Sequence, residues 1–254
     1  MRILVTNDDG INAPGLETLE RIARAISDDV WVVAPEVEHS GASRSITLAD
    51  PLRIRKIAER RFEVSGTPAD CVIMAQRKIL PGNPDLVLSG VNRGQNIADD
   101  VTYSGTIAAA MEATSLGFPA FALSQTTGMF NPGEHTFDVA EQHGAAVVKK
   151  LMGLALGPGV LVNINFPDCR ADEVQGVDVT RQGKRDQNLL TVDERVDARG
   201  RKYFWLGFKR EGGKPPVGTD LHAIFNKRIS VTPLHMNLTQ VEAMETLRDA
   251  LEKK

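Results

Sequence analysis

Two carboxylates, Asp8 and Asp9, stand side by side in Thr6-Asn7-Asp8-Asp9-Gly10, directly after the apolar run Ile3-Leu4-Val5. Adjacent acids on one loop repel each other unless a cation, hydrogen-bond donors or solvent compensates. Hard divalent cations such as Mg²⁺ and Mn²⁺ favour oxygen ligands of this kind. A short buried strand that delivers both acids to a loop opening a helix at Pro14-Gly15 sets them just beyond a strand's carboxyl end, where ligands bind in open α/β sheets. Asp-Gly is also an ordinary turn signal, but placement after the first strand of a βαβ unit weighs against that simpler reading.

Further oxygen donors follow in three loops. Ser40-Gly41-Ala42-Ser43-Arg44-Ser45-Ile46-Thr47 offers the hydroxyls of Ser40 and Ser43 as neutral metal ligands or phosphate donors, with a glycine that permits close backbone approach. Ser89-Gly90-Val91-Asn92-Arg93-Gly94-Gln95-Asn96 supplies amides at Asn92 and Asn96 and a cation at Arg93. Side-chain amides there suit either a metal or a phosphate, and equally a plain turn. Tyr103-Ser104-Gly105-Thr106 opens an apolar helix, whose free N–H groups and dipole favour an anion; Ser104 also reads as a simple N-cap. Each loop alone has a structural explanation. Together, at one edge of one sheet, they describe a hard-metal site beside a phosphate site, and so metal-assisted phosphoester hydrolysis.

Competing chemistries lack their motifs. No GxGxxG follows the first strand, and neither GxxxxGK[ST] nor GxSxG occurs. The histidines His39, His135, His143, His222 and His235 are scattered without metal-ligand spacing, and only His39, beside Ser40, borders a candidate loop. Cys71 and Cys169 form neither a zinc pattern nor a disulfide framework.

The elements that must position these residues read as alternating strand and helix. After Pro14, the residues Leu16, Leu19, Ile22, Ala23 and Ile26 recur at helical spacing, and Val30 to Ala34 reads as a second buried strand. Further strands are expected at Leu86 to Ser89, Ala120 to Leu123 and Val160 to Ile164. Helices are expected at Ala69 to Ile79, Ser104 to Leu116 and Phe137 to Met152. Thr67-Pro68 reads as a cap and first helical residue. Residues 35–50 form a long polar connection that suits a functional loop. The pattern predicts a Rossmann-like, doubly wound α/β fold with a mostly parallel sheet. After about Pro167 the segments Val177 to Val179, Tyr203 to Leu206 and Ile229 to Val231 look like strands joined without helices, which predicts an antiparallel element. Thr239 to Leu251 predicts a final amphipathic helix whose apolar face must cover something. The division expected is a catalytic core over 1–167 and a C-terminal extension over 168–254 that serves oligomerisation rather than forming an independent domain.

With 254 residues, 42% apolar content and a net charge of −3 spread through the chain, a sizeable core is available and general nucleic-acid or membrane-surface binding is not expected. The N-terminus reads as a strand rather than a leader, and no apolar run approaches a membrane span, so a cytoplasmic protein is expected.

The ordered motifs Asn7-Asp8-Asp9-Gly10 with Ala13-Pro14-Gly15, Val33-Ala34-Pro35, Ser40-Gly41-Ala42-Ser43, Gly66 to Cys71, Ser89 to Asn92, Tyr103 to Thr106 and Gly218-Thr219-Asp220 resemble the SurE family over essentially the whole chain. By that resemblance Asp8, Asp9, Ser40 and Asn92 hold one divalent cation, Mg²⁺ or Mn²⁺, per subunit, while Asn96, Ser104, Gly105 and Thr106 lie near the phosphate. It also implies hydrolysis of nucleoside 5'- and 3'-monophosphates, in homodimers or homotetramers that exchange C-terminal segments. Every ligand position of the family pattern is present. Water activated at the metal is the expected nucleophile and Asp8 the alternative; the rival function is a nucleotide-binding module without turnover.

Overall fold

The computed structural model describes residues 1–128, 136–185, 190–208 and 214–252. Its main body is a nine-stranded sheet in the order β3-β4-β2-β1-β5-β6-β7-β11-β8. These strands are β1 (Arg2–Thr6), β2 (Asp29–Pro35), β3 (Ile54–Ala58), β4 (Arg61–Val64), β5 (Leu86–Arg93), β6 (Ala120–Gln125), β7 (Val160–Phe166), β8 (Val177–Val179) and β11 (Ile229–His235). The run from β4 through β7 is parallel; β3 pairs antiparallel with β4 and β11 antiparallel with β7. Helices cover both faces: α1 (Pro14–Arg24) and α4 (Asp138–Leu151) on one, α2 (Pro68–Met74) and α3 (Gly105–Ser115) on the other.

Strand alternation sorts the core into these two layers. Ile3, Val5, Leu86, Leu88, Phe121, Leu123, Val162 and Ile164 face α1 and α4, while Leu4, Val87, Ala120, Ala122 and Leu161 face α2 and α3. The face toward α3 is lined with small residues, and α3 itself brings Ala109, Ala110 and Ala113, so the helix packs close to the strands. Close packing there holds the N-terminus of α3 near the carboxyl ends of β1 and β5.

The doubly wound, mostly parallel α/β architecture is the one expected, with several local corrections. β5 runs on to Arg93 instead of stopping at Ser89, so Asn92 lies in a strand rather than a loop. The register against β6 shifts between Ser89 and Asn92. At Gly90 (φ +129°) an added Cβ would lie 2.1 Å from the Leu123 carbonyl, so only glycine lets the strand pass. The helix expected over Ala69 to Ile79 is α2 followed by a wider π turn over Ala75–Ile79. The β3–β4 hairpin was not anticipated. In the C-terminal part β8 and β11 extend the main sheet, while β9 (Leu190–Val196) and β10 (Lys202–Phe208) form a separate antiparallel hairpin. A short helix, α5 (Asp220–Phe225), precedes β11 where none was expected, capped by the Thr219 hydroxyl, which accepts from His222 N. The final helix, α6 (Val241–Glu252), is amphipathic as expected, yet none of its residues is buried.

Candidate active site

The site grows from the end of β1. Thr6 pairs in register with Ser89 of β5, and the chain then turns out of the sheet. Asn7 Nδ2 donates to the Gly10 carbonyl at 2.9 Å, closing the loop that carries Asp8 and Asp9. The α1 helix starts at Pro14 and crosses β5 so closely that a Cβ on Gly15 would lie 2.0 Å from the Val91 carbonyl. This fixes the loop between two rigid elements.

Asp8 is buried against the start of α3. Its main-chain carbonyl accepts from His39 N at 2.8 Å, and its Oδ1 accepts from the Thr106 hydroxyl at 2.5 Å. A Cβ on Gly105 would fall 2.7 Å from Asp8 Cβ, so position 105 must be glycine for the carboxylate to reach the helix N-terminus. Burial pushes the Asp8 carboxyl up to about 7; the Thr106 hydroxyl and main chain pull it down, and the charge on Asp9 adds to the rise. Asp9, half-buried, is also raised by burial and by Glu38, against the pull of the Arg93 main-chain N–H (3.3 Å) and guanidinium.

Of the other residues singled out, Ser40 follows His39 directly and donates to Glu38 Oε1 at 2.7 Å. Asn92 Nδ2 donates to the Gly94 carbonyl at 2.9 Å, and no described residue donates to its Oδ1. Ser104 is the N-cap of α3, accepting from Ile107 N at 3.1 Å, with its own proton left for another acceptor. Ser43 instead donates to the Thr102 carbonyl at 2.9 Å and its main-chain N to the Tyr103 carbonyl, which docks the 40–47 loop onto the start of α3. Thr106 and Asn96 also turn inward: Asn96 Nδ2 donates to Ser124 Oγ at 2.9 Å and to Thr106 Oγ1 at 3.4 Å. His39 contributes its main chain, and His143 bonds the Ala171 carbonyl; His135 lies outside the described residues. The Thr67–Asp70 capping box is present, and Asp70 also accepts from Thr47 N and Oγ1, so it tethers the far end of the Ser40 loop.

The donor chemistry fits a hard divalent cation. Asp8 and Asp9 are both raised by burial, and no lysine or arginine lies within ion-pair distance of either among the described residues. Nor do the described residues contain a group of three or more His, Cys, Asp or Glu able to hold a metal. A cation bound here therefore takes neutral oxygens as well, and Ser40 and Asn92 stand at the same edge. Beside Asp9 a cavity of about 290 Å³ is lined by Ala13, Pro14, Gly15, Glu38, Arg93 and Phe137.

Sequence reasoning passed over Ser124, Asn163 and Asn165. The signal was available: Val162-Asn163-Ile164-Asn165-Phe166 puts two amides into a central apolar strand, and both are fully buried. Buried amides need partners.

Fold and site together define a doubly wound α/β protein of the Rossmann-like class with an oxygen-donor centre at the carboxyl edge of its sheet. Residues 3–189 match the family model "Survival protein SurE". The "5'-nucleotidase SurE" of Parvibaculum lavamentivorans is 58% identical over 252 residues, covering 99% of this chain and 91% of that relative. Its namesake from Methylobacterium radiotolerans is 61% identical over 240 residues, 94% of each. The crystal structure of the SurE protein from Aquifex aeolicus superposes with a TM-score of 0.86 at 37% identity, covering 99% of this chain and all of that one. The chain belongs to the SurE family.

Proposed function

We infer that the protein is a 5'-nucleotidase, a metal-dependent phosphomonoesterase that converts nucleoside 5'-monophosphates, and also 3'-monophosphates, to nucleoside and phosphate. The observation that carries this reading is the adjacent pair Asp8 and Asp9, Asp8 buried against the N-terminus of α3 and Asp9 half-buried beside it, with no lysine or arginine within ion-pair distance of either among the described residues. Relatives named 5'-nucleotidase SurE, aligned along nearly the whole chain, support it.

In this reading Asp8, Asp9, Ser40 and Asn92 hold one divalent cation, Mg²⁺ or Mn²⁺. Bound there, it supplies positive charge to a phosphoryl oxygen and acidifies water. The phosphate lies over the start of α3, where the Ser104 hydroxyl and the open N–H groups of the first turn meet developing negative charge. Gly105, lacking a side chain, lets the phosphate approach as closely as it lets Asp8 approach. Asp9 stands at the mouth of the adjoining cavity, and the nucleoside extends into it, with Phe137 and Pro14 as apolar walls and Glu38 and Arg93 as polar ones. Water is the nucleophile, and direct attack by Asp8 is the alternative; rapid-quench labelling separates them, since phosphate carried on Asp8 refutes the water route.

The catalytic unit is residues 1–167, with 168–254 as the extension that joins subunits. Dimers or tetramers form by exchange of C-terminal segments, a reading supported by the exposed Phe204, Trp205 and Leu206 of the hairpin and by α6, none of whose residues is buried. The protein works in the cytoplasm: Cys71 and Cys169 are unpaired thiols, and no described helix is long and apolar enough to cross a membrane.

A phosphate-release panel across nucleoside monophosphates with Mg²⁺, Mn²⁺ or chelator tests the assignment. Release from AMP that depends on added metal is the expected result. Nucleotide binding with no release under any metal establishes the rival reading, a binding module.

A further inference from the structure

The strand β7 alternates between the two sheet faces, so Asn163 and Asn165 share the face of Leu161, toward α3. Both are fully buried. Together they grip the main chain of Asn96. Asn163 Nδ2 and Asn165 Nδ2 donate to its carbonyl at 2.8 and 3.2 Å, and Asn165 Oδ1 accepts from its N–H at 2.8 Å. The two amides also bond each other at 3.2 Å. Asn96, held in this way, directs its side-chain amide to Ser124 and Thr106, and Thr106 reaches Asp8.

Proton counting gives this chain a direction. An ionised carboxylate only accepts, and a threonine hydroxyl has one proton to give. Whenever Asp8 is ionised, as metal binding requires, the Thr106 proton lies on Asp8 Oδ1. Thr106 Oγ1 must then accept from Asn96, which turns the Asn96 NH₂ inward. Its two N–H bonds are engaged by Thr106 and Ser124, and its Oδ1 is not among the sealed, unpartnered atoms. So arranged, Asn96 has no donor left for a phosphate.

We propose that Asn96 is a positioning residue for the metal-binding carboxylate rather than a phosphate donor: gripped by Asn163 and Asn165, it orients Thr106, and Thr106 locks Asp8 Oδ1. The proposal rests on the reading that Asp8 binds a divalent cation. Outer partners of metal ligands commonly change metal affinity by about 10- to 100-fold when removed, so the effect is measurable without turnover.

The test is calorimetric titration of the chelator-treated full chain with Mn²⁺ alone at pH 8, with a thermal melt for every variant. Thr106→Val is expected to weaken Mn²⁺ binding about tenfold, and Thr106→Ser, which keeps the hydroxyl, to bind within about twofold of wild type. Asn96→Ala should weaken binding in the same direction. Thr106→Val combined with Asn96→Ala should be no weaker than Thr106→Val alone, because two links of one chain do not add. Asn165→Ser should reproduce the Asn96→Ala loss; if that core variant does not fold, the Asn96 and Thr106 cycle decides. Wild-type Mn²⁺ affinity in Asn96→Ala, with loss only of inhibition by inorganic phosphate, overturns the proposal, as does a double variant whose loss is the product of the single losses. Failure of the wild-type protein to release phosphate from nucleotides would refute the proposed activity and leave this titration result standing.

Discussion

The carboxyl edge of the central strands and the C-terminal arm break the usual distribution of polar and apolar residues in opposite senses. At the edge, Asp8, Asn96, Thr106, Asn163 and Asn165 are buried polar groups, each with hydrogen-bond partners. In the arm, Trp205 is 60% exposed, Leu206 74% and Leu251 85%. Burying a polar group is costly unless its bonds are met, and contiguous exposed apolar side chains mark a surface made to be covered. These five residues find their partners within one chain, while Thr6 Oγ1, Asn7 Oδ1, Ser89 Oγ and Thr126 Oγ1 of the same edge are buried without one among the described residues. Among the described residues the arm leaves these apolar side chains exposed, which supports the proposed subunit contact.

The sharpest way to separate the two regions is to remove the carboxylate at the centre of the edge. Asp8→Ala is expected to lower metal-dependent phosphate release by about three orders of magnitude or more. Sedimentation of the variant should match wild type. A change in assembly would show that edge and arm are not independent.

A smaller effect follows from the position of the Asp8 carboxyl, pushed up to about 7 mainly by burial. A cation held by Asp8 as proposed must displace that proton, so Mn²⁺ affinity is expected to be about tenfold weaker at pH 6 than at pH 8, measured by calorimetry. For the metal-free protein the sign is opposite to that of a salt-bridged acid. The folded state holds the proton more tightly than the unfolded chain, so the contribution of Asp8 to stability is full below the ordinary carboxylate value of 3.8 and is lost as pH rises through about 7. Metal-free protein should therefore unfold more readily at pH 8 than at pH 5.5 as far as this group is concerned. Asp8→Asn should remove that part of the slope in thermal melts across pH.

What sequence alone conveyed about these regions depended on whether a residue's role is local. Asp8 and Asp9 were legible because two acids after a buried strand have few purposes, and the Thr67 and Ser104 caps because capping is decided within one turn. The family resemblance sets Thr106 near the phosphate; that its hydroxyl turns to Asp8 depends on where α3 lies over β1, a tertiary fact. The β3–β4 hairpin stayed hidden because β3 is exposed along its whole length and carries Arg55 and Lys56, so no apolar alternation marks it. The helix α5 is six residues long, too short for a periodic signal. The apolar stripe of α6 was plain, but none of the helix's residues is buried, so its pattern does not say what it packs against.

That stripe and the hairpin allow the complementary experiment to Asp8→Ala. Trp205→Lys with Leu247→Glu puts charge onto both exposed surfaces of the arm. Sedimentation is expected to shift toward monomer, while the Mn²⁺ affinity of each chain stays within about twofold, since no proposed ligand lies in the arm and distant sites act independently. Unchanged sedimentation would remove the arm from subunit contact.

The smallest expected effect lies beside the edge, at the cap that tethers the Ser40 loop. The Thr67 hydroxyl accepts from Asp70 N at 3.2 Å and donates to the Ser45 carbonyl at 2.7 Å. Asp70 separately holds Thr47 through its main-chain N and hydroxyl. Thr67→Ala removes the cap and one of these ties but leaves the Asp70 bonds, and an N-cap of this kind contributes about 1 kcal/mol. For a chain of this size that corresponds to a drop in melting temperature of about 2–4 °C. Mn²⁺ affinity should stay within about twofold, because Asp70 alone still anchors the far end of the loop and the His39 N–H still binds the Asp8 carbonyl at the near end. A larger loss of affinity would mean that the position of Ser40 depends on the α2 cap, extending the edge's support to that helix.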